Sequence, residues 1–362
     1  MMMNMTDKTL AKRPQRIKDL LRSDNRLCLL SSRDIFGVLI DQPMIIMACN
    51  IRIRHVIPGI LRAAKELDAV VAFELAKSEG DIDGGYTGQD PETFFNTVVQ
   101  YADSSGFDLP FLIHGDHITV KDTSSEAIVS ARRLIEAELK AGYTSFAIDA
   151  SFNELEDNIR ITQELAHPIQ KEGFGLEVEV GEIKSTGMEA ELTTVDEAEA
   201  FIRGLKNKGI RPSLLAINNG SKHGNYLEGE EVHIDLDRTK EIFSAVRPFG
   251  VTIAQHGITG TPLNLVGQFA DCGIRKGNVG TQWQNIAHQG LPRDLMKAMR
   301  EWASEHSKDI KFATKPFKAE IDSIQQSYRD NIAQEAYKTA VDFIKAFRAE
   351  GSASLVIQTL GK

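Results

Sequence analysis

Short apolar runs recur along the chain, and most are followed by a stretch in which apolar side chains return every three or four positions. The runs lie in VLIDQPMIIMACN (38–50), AVVAFELA (69–76), PFLIHGDH (110–117), TSFAIDAS (144–151), GLEVEVGE (175–182), SLLAINNG (213–220), VTIAQHG (251–257) and GIRKGNVGT (273–281). They are rich in Val, Ile and Ala and lack strict apolar–polar alternation, which predicts parallel strands buried on both faces. Between them IPGILRAAKELD, FFNTVVQYADSSG, SSEAIVSARRLIEAELKAGY, NELEDNIRITQELAHPIQKEG, TVDEAEAFIRGLKNKG, DRTKEIFSAVRPFG and PLNLVGQFADCG predict helices. Thr194 and Glu197 have capping-box spacing, in which each side chain satisfies the other residue's backbone N–H. Repeated strand–helix units imply right-handed crossovers, and eight of them close into a barrel more readily than they spread into an open sheet. The expected fold class is therefore α/β, a (β/α)8 TIM barrel. One domain is expected over 1–362, with the barrel at about 25–290, a helix in PQRIKDLLRSD before it and a C-terminal helical extension over about 291–362.

Composition narrows the partners. Hydrophobic residues make up 42% and charged residues 26% of the 362, an ordinary globular balance. A net charge of -9 argues against nucleic acid, whose phosphates attract basic surfaces, but permits a small phosphorylated ligand that needs only local positive potential. Cys28, Cys49 and Cys272 are far apart and form no CxxC pair, which points to a reducing compartment rather than a disulfide framework. The start, MMMNMTDKTLAKRPQR, lacks the apolar centre of a signal peptide, and no run approaches the ~20 apolar residues of a membrane span. A cytoplasmic protein without a membrane partner is expected. The longest non-periodic piece, KSEGDIDGGYTGQDPE (77–92), follows the second strand, where a loop of that length is often functional.

Polar side chains gather at the C-terminal ends of six consecutive strands. They are His114, Asp116 and His117; Asp149 and Ser151; Glu177, Glu179 and Glu182; Asn218, Asn219, Ser221, Lys222 and His223; Gln255 and His256; and Asn278 and Thr281. In a parallel barrel these ends converge on one face, where catalytic loops meet. His117, His223 and His256 sit at three different ends. Three imidazoles with an open fourth position would make a zinc site able to polarise a carbonyl. Asp116 adjoins His117, and strand alternation would send the two to opposite faces unless the strand ends or bulges there. In such a pair Asp116 is either a general acid/base or an orienting partner of the histidine. Gly-containing turns in SKHGNYLEG, HGITGTP and GNVGTQW are either ordinary tight turns or phosphate cradles.

Together these motifs resemble the class II, zinc-dependent fructose-bisphosphate and tagatose-bisphosphate aldolases over roughly residues 15 to 285. FLIHGDH is similar to that family's third-strand signature, which implies a catalytic Asp116 and a metal ligand His117. AGYTSFAIDASFNELEDNI puts Asp149 and Ser151 in the inner shell of the site. LEVEVGE implies Glu179 near or on the metal, and SKHGNY implies His223 as a ligand with Gly224 at phosphate. QHGITGT implies His256 as a ligand, with Gly257, Thr259 and Gly260 at phosphate. RKGNVGT implies Asn278 on the substrate, with Gly280 and Thr281 near its phosphate.

The resemblance implies Zn2+ or another divalent cation, allows a monovalent one, and implies a homodimer or homotetramer. It also implies a place in carbohydrate metabolism and retro-aldol cleavage of a ketose (bis)phosphate to dihydroxyacetone phosphate and an aldehyde. The chain departs from the family in several places. After strand five the proton-exchanging acid has three candidates, Glu182 first and then Glu189 and Glu191. Glycine stands at 280 where an acid is usual. The arginine expected for a second phosphate has only Lys315, Lys318 and Arg329 as substitutes. An aldolase for an unphosphorylated or sulfonated sugar, an isomerase or epimerase, and an inactive sugar-phosphate-binding relative are the alternatives.

Overall fold

The computed structural model describes residues 5–22, 24–181, 192–221, 224 and 233–362. Eight strands form the barrel: β1 (Ile46–Asn50), β2 (Val71–Ala76), β3 (Pro110–Thr119), β4 (Ser145–Asp149), β5 (Gly175–Val180), β6 (Leu214–Ile217), β7 (Thr252–Gln255) and β8 (Ile274–Val279). Each pairs in parallel with its neighbour in sequence, and β8 returns to β1 through Ile46↔Lys276 and Ala48↔Asn278, which closes the barrel. A two-residue strand, Cys28–Leu29, adds to the start of β3. All eight strand expectations hold. The capping box also forms: Glu197 N–H donates to Thr194 Oγ1, and Thr194 N–H to the Glu197 carboxylate.

Strand alternation divides the core in two. Outward positions such as Met47, Cys49, Val71, Phe73, Phe111 and Ile113 pack beneath the surrounding helices. Ile46, Ala48, Ala72, Leu112, Leu214, Ala216 and Ala254 belong to a second cluster. That cluster includes Ile35, Phe36 and Leu39 of the helix Ser32–Leu39, and Ala353 and Val356 of the helix Ser352–Leu360. Ser32–Leu39 is not predicted above, and Ser352–Leu360 falls within the expected C-terminal helical extension. The many alanines facing inward leave room for the long polar side chains that share the barrel interior.

One predicted helix is corrected. PLNLVGQFADCG is helical only over Leu263–Val266 and then forms a 3-10 turn over Phe269–Cys272. Gly267 lies between them, and glycine's low helix propensity leaves nothing to carry the helix through. The predicted long loop after β2 contains a short helix, Lys77–Gly80. Among the described residues no helix is long and apolar enough to cross a membrane.

The C-terminal extension packs tightly on the barrel's outer layer. Its long helix, Gln326–Ala346, lies against Ile57–Glu66, and a Cβ at Gly59 would sit 2.1 Å from the carbonyl oxygen of Ala333 and 2.6 Å from the amide nitrogen of Tyr337. Backbone meets backbone there, so neither side can yield cheaply. Gly59→Ala is expected to destabilise the protein by about 2 kcal/mol, in the range for overpacking, read as a fall in the midpoint of urea denaturation. An unchanged midpoint would show that the two helices separate easily.

Candidate active site at the C-terminal strand ends

The strand ends open into one cavity of about 320 Å3, lined from every side of the barrel. Its most informative local feature is in β3. The pairing with β4 runs Gly115↔Phe146 and then Ile118↔Ile148, so β3 holds one residue more than its partner. His117 takes a left-handed φ of 42° at this bulge. A bulge breaks the alternation of side chains, and Asp116 and His117 both reach the cavity, as their function would require.

His117 and His256 meet edge to face, with His256 Nδ1 2.7 Å from His117 Nε2. Each ring turns its other nitrogen to a carboxylate. His256 Nε2 is 2.8 Å from Glu177 Oε1, and His117 Nδ1 is 3.3 Å from Glu179 Oε2 and 3.6 Å from Asp149 Oδ2. Metal-binding histidines are commonly oriented in this way, by a carboxylate on the far nitrogen. Burial alone would make His117 less basic, but Asp116, Glu179 and Asp149 outweigh it and raise its pKa well above the ordinary imidazole value. A spot so rich in negative charge favours a cation, whether a proton or a metal. His117, Asp149 and Glu179, and likewise Asp116, His117 and His256, bring ligand atoms within 4.8 Å of one another. The donor set therefore fits a divalent ion.

Asp116 is fixed by two amides. Asn278 Nδ2 donates to its Oδ1 and Asn50 Nδ2 to its Oδ2, each at 3.0 Å. Burial would raise its pKa, but His117 and then Lys276 prevail and hold the carboxyl well below the usual range. It is ionised at neutral pH. Asn50 also donates to Glu79 Oε2 at 3.1 Å, and Glu79 pairs with Arg52 at 2.7 Å.

Beneath these groups lies Lys276, with no exposed surface. Its Nζ is 3.0 Å from Glu177 Oε2, 3.1 Å from Glu74 Oε2 and 2.8 Å from Asn278 Oδ1. One ammonium serves two carboxylates, and the two acids respond differently. Burial would raise both, but Glu177 is also bonded to His256, and Lys276 with His256 lowers its pKa. Glu74 also faces Asp116 and Glu177, and its pKa stays well above the ordinary value. Two carboxyls thus share a single lysine, one held below its ordinary range and the other above it. Burial followed by Lys276 also pushes His114 down to about 3, so it is neutral, with Nδ1 2.6 Å from Ser145 Oγ.

Asp116, His117, Asp149, Glu179, Gly224, His256, Gly257, Thr259, Asn278, Gly280 and Thr281 all line the cavity. Gly260 is exposed and does not line it. Glu182 and His223 lie outside the described residues. The turn HGITGTP, one of the candidate phosphate cradles, is followed by only four helical residues, Leu263–Val266. Lys315 Nζ is bonded to the carbonyl of Asp83, Lys318 pairs with Asp322, and Arg329 donates to the carbonyl of Ile324, so none of the three lines the cavity. Lys311 does. Sequence reasoning missed Lys276, Glu74, Asn50, Arg52, Glu79 and Lys311. A charged residue inside an otherwise apolar strand, as Lys276 and Glu74 are, was the available signal, because such a group is buried only with a partner.

Lys276→Met leaves ionised Glu177 buried without its ammonium. Losing one partner of a buried pair costs about 3–5 kcal/mol, to be read by urea denaturation. A loss under about 1 kcal/mol would show that Glu177 takes up a proton without penalty.

Several known proteins similar to this chain are aldolases. The chain is 28% identical over 279 residues to the fructose-bisphosphate aldolase of Streptococcus pneumoniae serotype 4, covering 76% of this chain and 86% of that one. It is 29% identical over 248 residues to the 6-phospho-5-dehydro-2-deoxy-D-gluconate aldolase of Halalkalibacterium halodurans, covering 65% and 76%. The crystal structure of the YdjI aldolase of Escherichia coli K12 shares the fold, with a TM-score of 0.64 at 21% identity over 90% of this chain and 99% of that one. The family profile described as Fructose-bisphosphate aldolase class-II matches residues 31–351, and with it the chain belongs to the class II aldolases, enzymes of the carbon–carbon lyase type.

Proposed function

We propose that this enzyme cleaves, reversibly, a carbon–carbon bond of a phosphorylated ketose to give dihydroxyacetone phosphate and an aldehyde, with Asp116 as the proton acceptor and a divalent cation, zinc by its ligand chemistry, beside it. The observation that carries the reading is Asp116 brought next to the His117–His256 pair by the β3 bulge. His117 through Nε2 and His256 through Nδ1 would hold the ion, with His223 as the expected third nitrogen and Asp149 and Glu179 alongside. Three imidazoles and an open position suit zinc. The ion, when bound, polarises the substrate carbonyl and stabilises the negative charge that develops during cleavage.

The chain's own groups do the rest. Asp116, ionised and held by Asn50 and Asn278, accepts the proton of the hydroxyl whose carbon becomes the aldehyde. Asn278 has its amide oxygen fixed by Lys276, so its Nδ2–H stays directed at Asp116. Gly257 and Gly224, both at positive φ, leave backbone close to the cavity without a side chain in the way, and Thr259 adds a hydroxyl. These are the proposed phosphate contacts, with Thr281 beside them. Proton exchange at the other product is assigned to the acid-bearing segment after β5, Glu182 first. The relatives' names pair this family with a bisphosphate in one case and a phosphorylated gluconate in another, and a phosphate-bearing sugar chain is common to both.

Dialysis against a chelator should abolish triose phosphate release, and Zn2+ should restore it. Activity that survives full metal removal would rule the reading out. Asp116→Asn should lower kcat by about 10²–10⁴-fold while metal content, read by atomic absorption, stays near that of the unaltered enzyme. His256→Ala should instead lower the metal content itself.

A further inference from the structure

The cavity has a second wall, of which the retro-aldol reading uses only Thr281 and the amides that hold Asp116. The candidate metal ligands His117, Asp149 and Glu179 lie on β3, β4 and β5 and His256 just after β7, whereas Arg52 follows β1, Glu79 and Tyr86 follow β2, and Thr281 and Gln284 follow β8. The strands β8, β1 and β2 are neighbours, so these residues face the metal group across the barrel mouth. Asp116 stands between the two sides, tied to Asn50 at the end of β1 and Asn278 on β8.

Arg52 is largely spoken for. Its Nε and Nη2 lie 2.7 Å from Glu79 Oε1, and its Nη1 donates to Gln284 Oε1 at 2.7 Å. One N–H of Nη2 remains, beside Gly280, where a Cβ would lie 3.2 Å from that nitrogen. Glycine at this position thus uncovers the guanidinium. The second cation is Lys311, on the turn Ile310–Ala313 of the C-terminal extension. Its Nζ sits 5.9 Å from the centroid of Tyr86, the same distance as Arg52 Cζ, so both cations neighbour one ring. Lys311 makes no ion pair among the described residues. Asp309 spends its carboxylate on the Lys311 backbone N–H at 2.9 Å and does not line the cavity. The Arg52–Glu79 pair is neutral, which leaves one surplus positive charge and two cationic donors, with Ser78 nearby on the same cavity surface.

We propose that this wall binds a single terminal carboxylate on the aldehyde end of the substrate. The inference rests on the aldolase reading above. With the carbonyl at the metal side and the next hydroxyl at Asp116, the remaining carbons run toward β8, β1 and β2. A carboxylate carries one charge and two acceptor oxygens, matching one surplus charge, the free Nη2–H of Arg52 and the Lys311 ammonium. A phosphate dianion would leave one negative charge unmatched by this wall, and a neutral hydroxyl would leave Lys311 unmatched.

The test is aldol condensation by the metal-loaded full chain, with dihydroxyacetone phosphate as donor. The acceptors are succinic semialdehyde, its neutral counterpart 4-hydroxybutanal, and glyceraldehyde 3-phosphate. The kcat/KM should be highest for the semialdehyde, by about tenfold over the neutral aldehyde, the worth of one charged hydrogen bond. That ratio should collapse toward one in Lys311→Gln and persist in Lys311→Arg. A preference for the neutral or the phosphorylated acceptor, or a ratio unmoved by Lys311→Gln, overturns the proposal. Calorimetric titration with the two four-carbon aldehydes gives a separate reading. If no acceptor condenses, the aldolase reading fails, but tighter semialdehyde binding that depends on Lys311 still upholds the wall, and equal binding sinks it.

Discussion

A single ammonium group inside the barrel organises the site. Lys276 reaches three oxygens within about hydrogen-bond distance, and two of them belong to side chains that aim another. Through Glu177 it fixes which nitrogen of His256 faces the cavity, and through Asn278 it fixes the amide that holds Asp116. Low effective dielectric makes such contacts strong when complete and costly when broken. The inward alanines of β1, β2, β6 and β7 are part of the same design, because a barrel filled with Leu and Ile would have no space for lysine and two glutamates at its centre.

The eight strands were legible because each is a short apolar run closed by polar residues, and that pattern survives any uncertainty about where a helix begins. Helices were less so where they are short or interrupted: Ser32–Leu39 escaped notice, Ser352–Leu360 read only as part of an undivided extension, and Gly267 split a run that reads as continuous. The chemistry on the strand ends could be read from residue type and position, and Asp116, His117, Asp149, Glu179, His256 and Asn278 do converge. The condition placed on Asp116 and His117, that they share a face only if the strand bulges, is met by a register shift that no propensity encodes.

What escaped was long-range pairing. Arg52 and Glu79 are 27 positions apart and Lys276 and Glu74 far more, and nothing local to either partner names the other. The C-terminal extension was read only as helices, yet its turn at Ile310–Ala313 supplies a cavity residue. That turn is held by the loop after β2: Phe312 packs on Tyr86 at 5.4 Å, and Lys315 N–H donates to the Tyr86 carbonyl. Gly280 is another case. Read alone it looks like a missing acid, but in three dimensions Arg52 occupies the neighbouring space.

The extra residue in β3 has an evolutionary consequence. Loops around a barrel mouth can lengthen, shorten and drift while the strands stay put, and a lysine on an outlying turn can be exchanged as diets change. Residues 116 and 117 have no such liberty. Asp116 and His117 are the only residues between Gly115 and Ile118, so a deletion that restored the regular pleat would take one of the two with it.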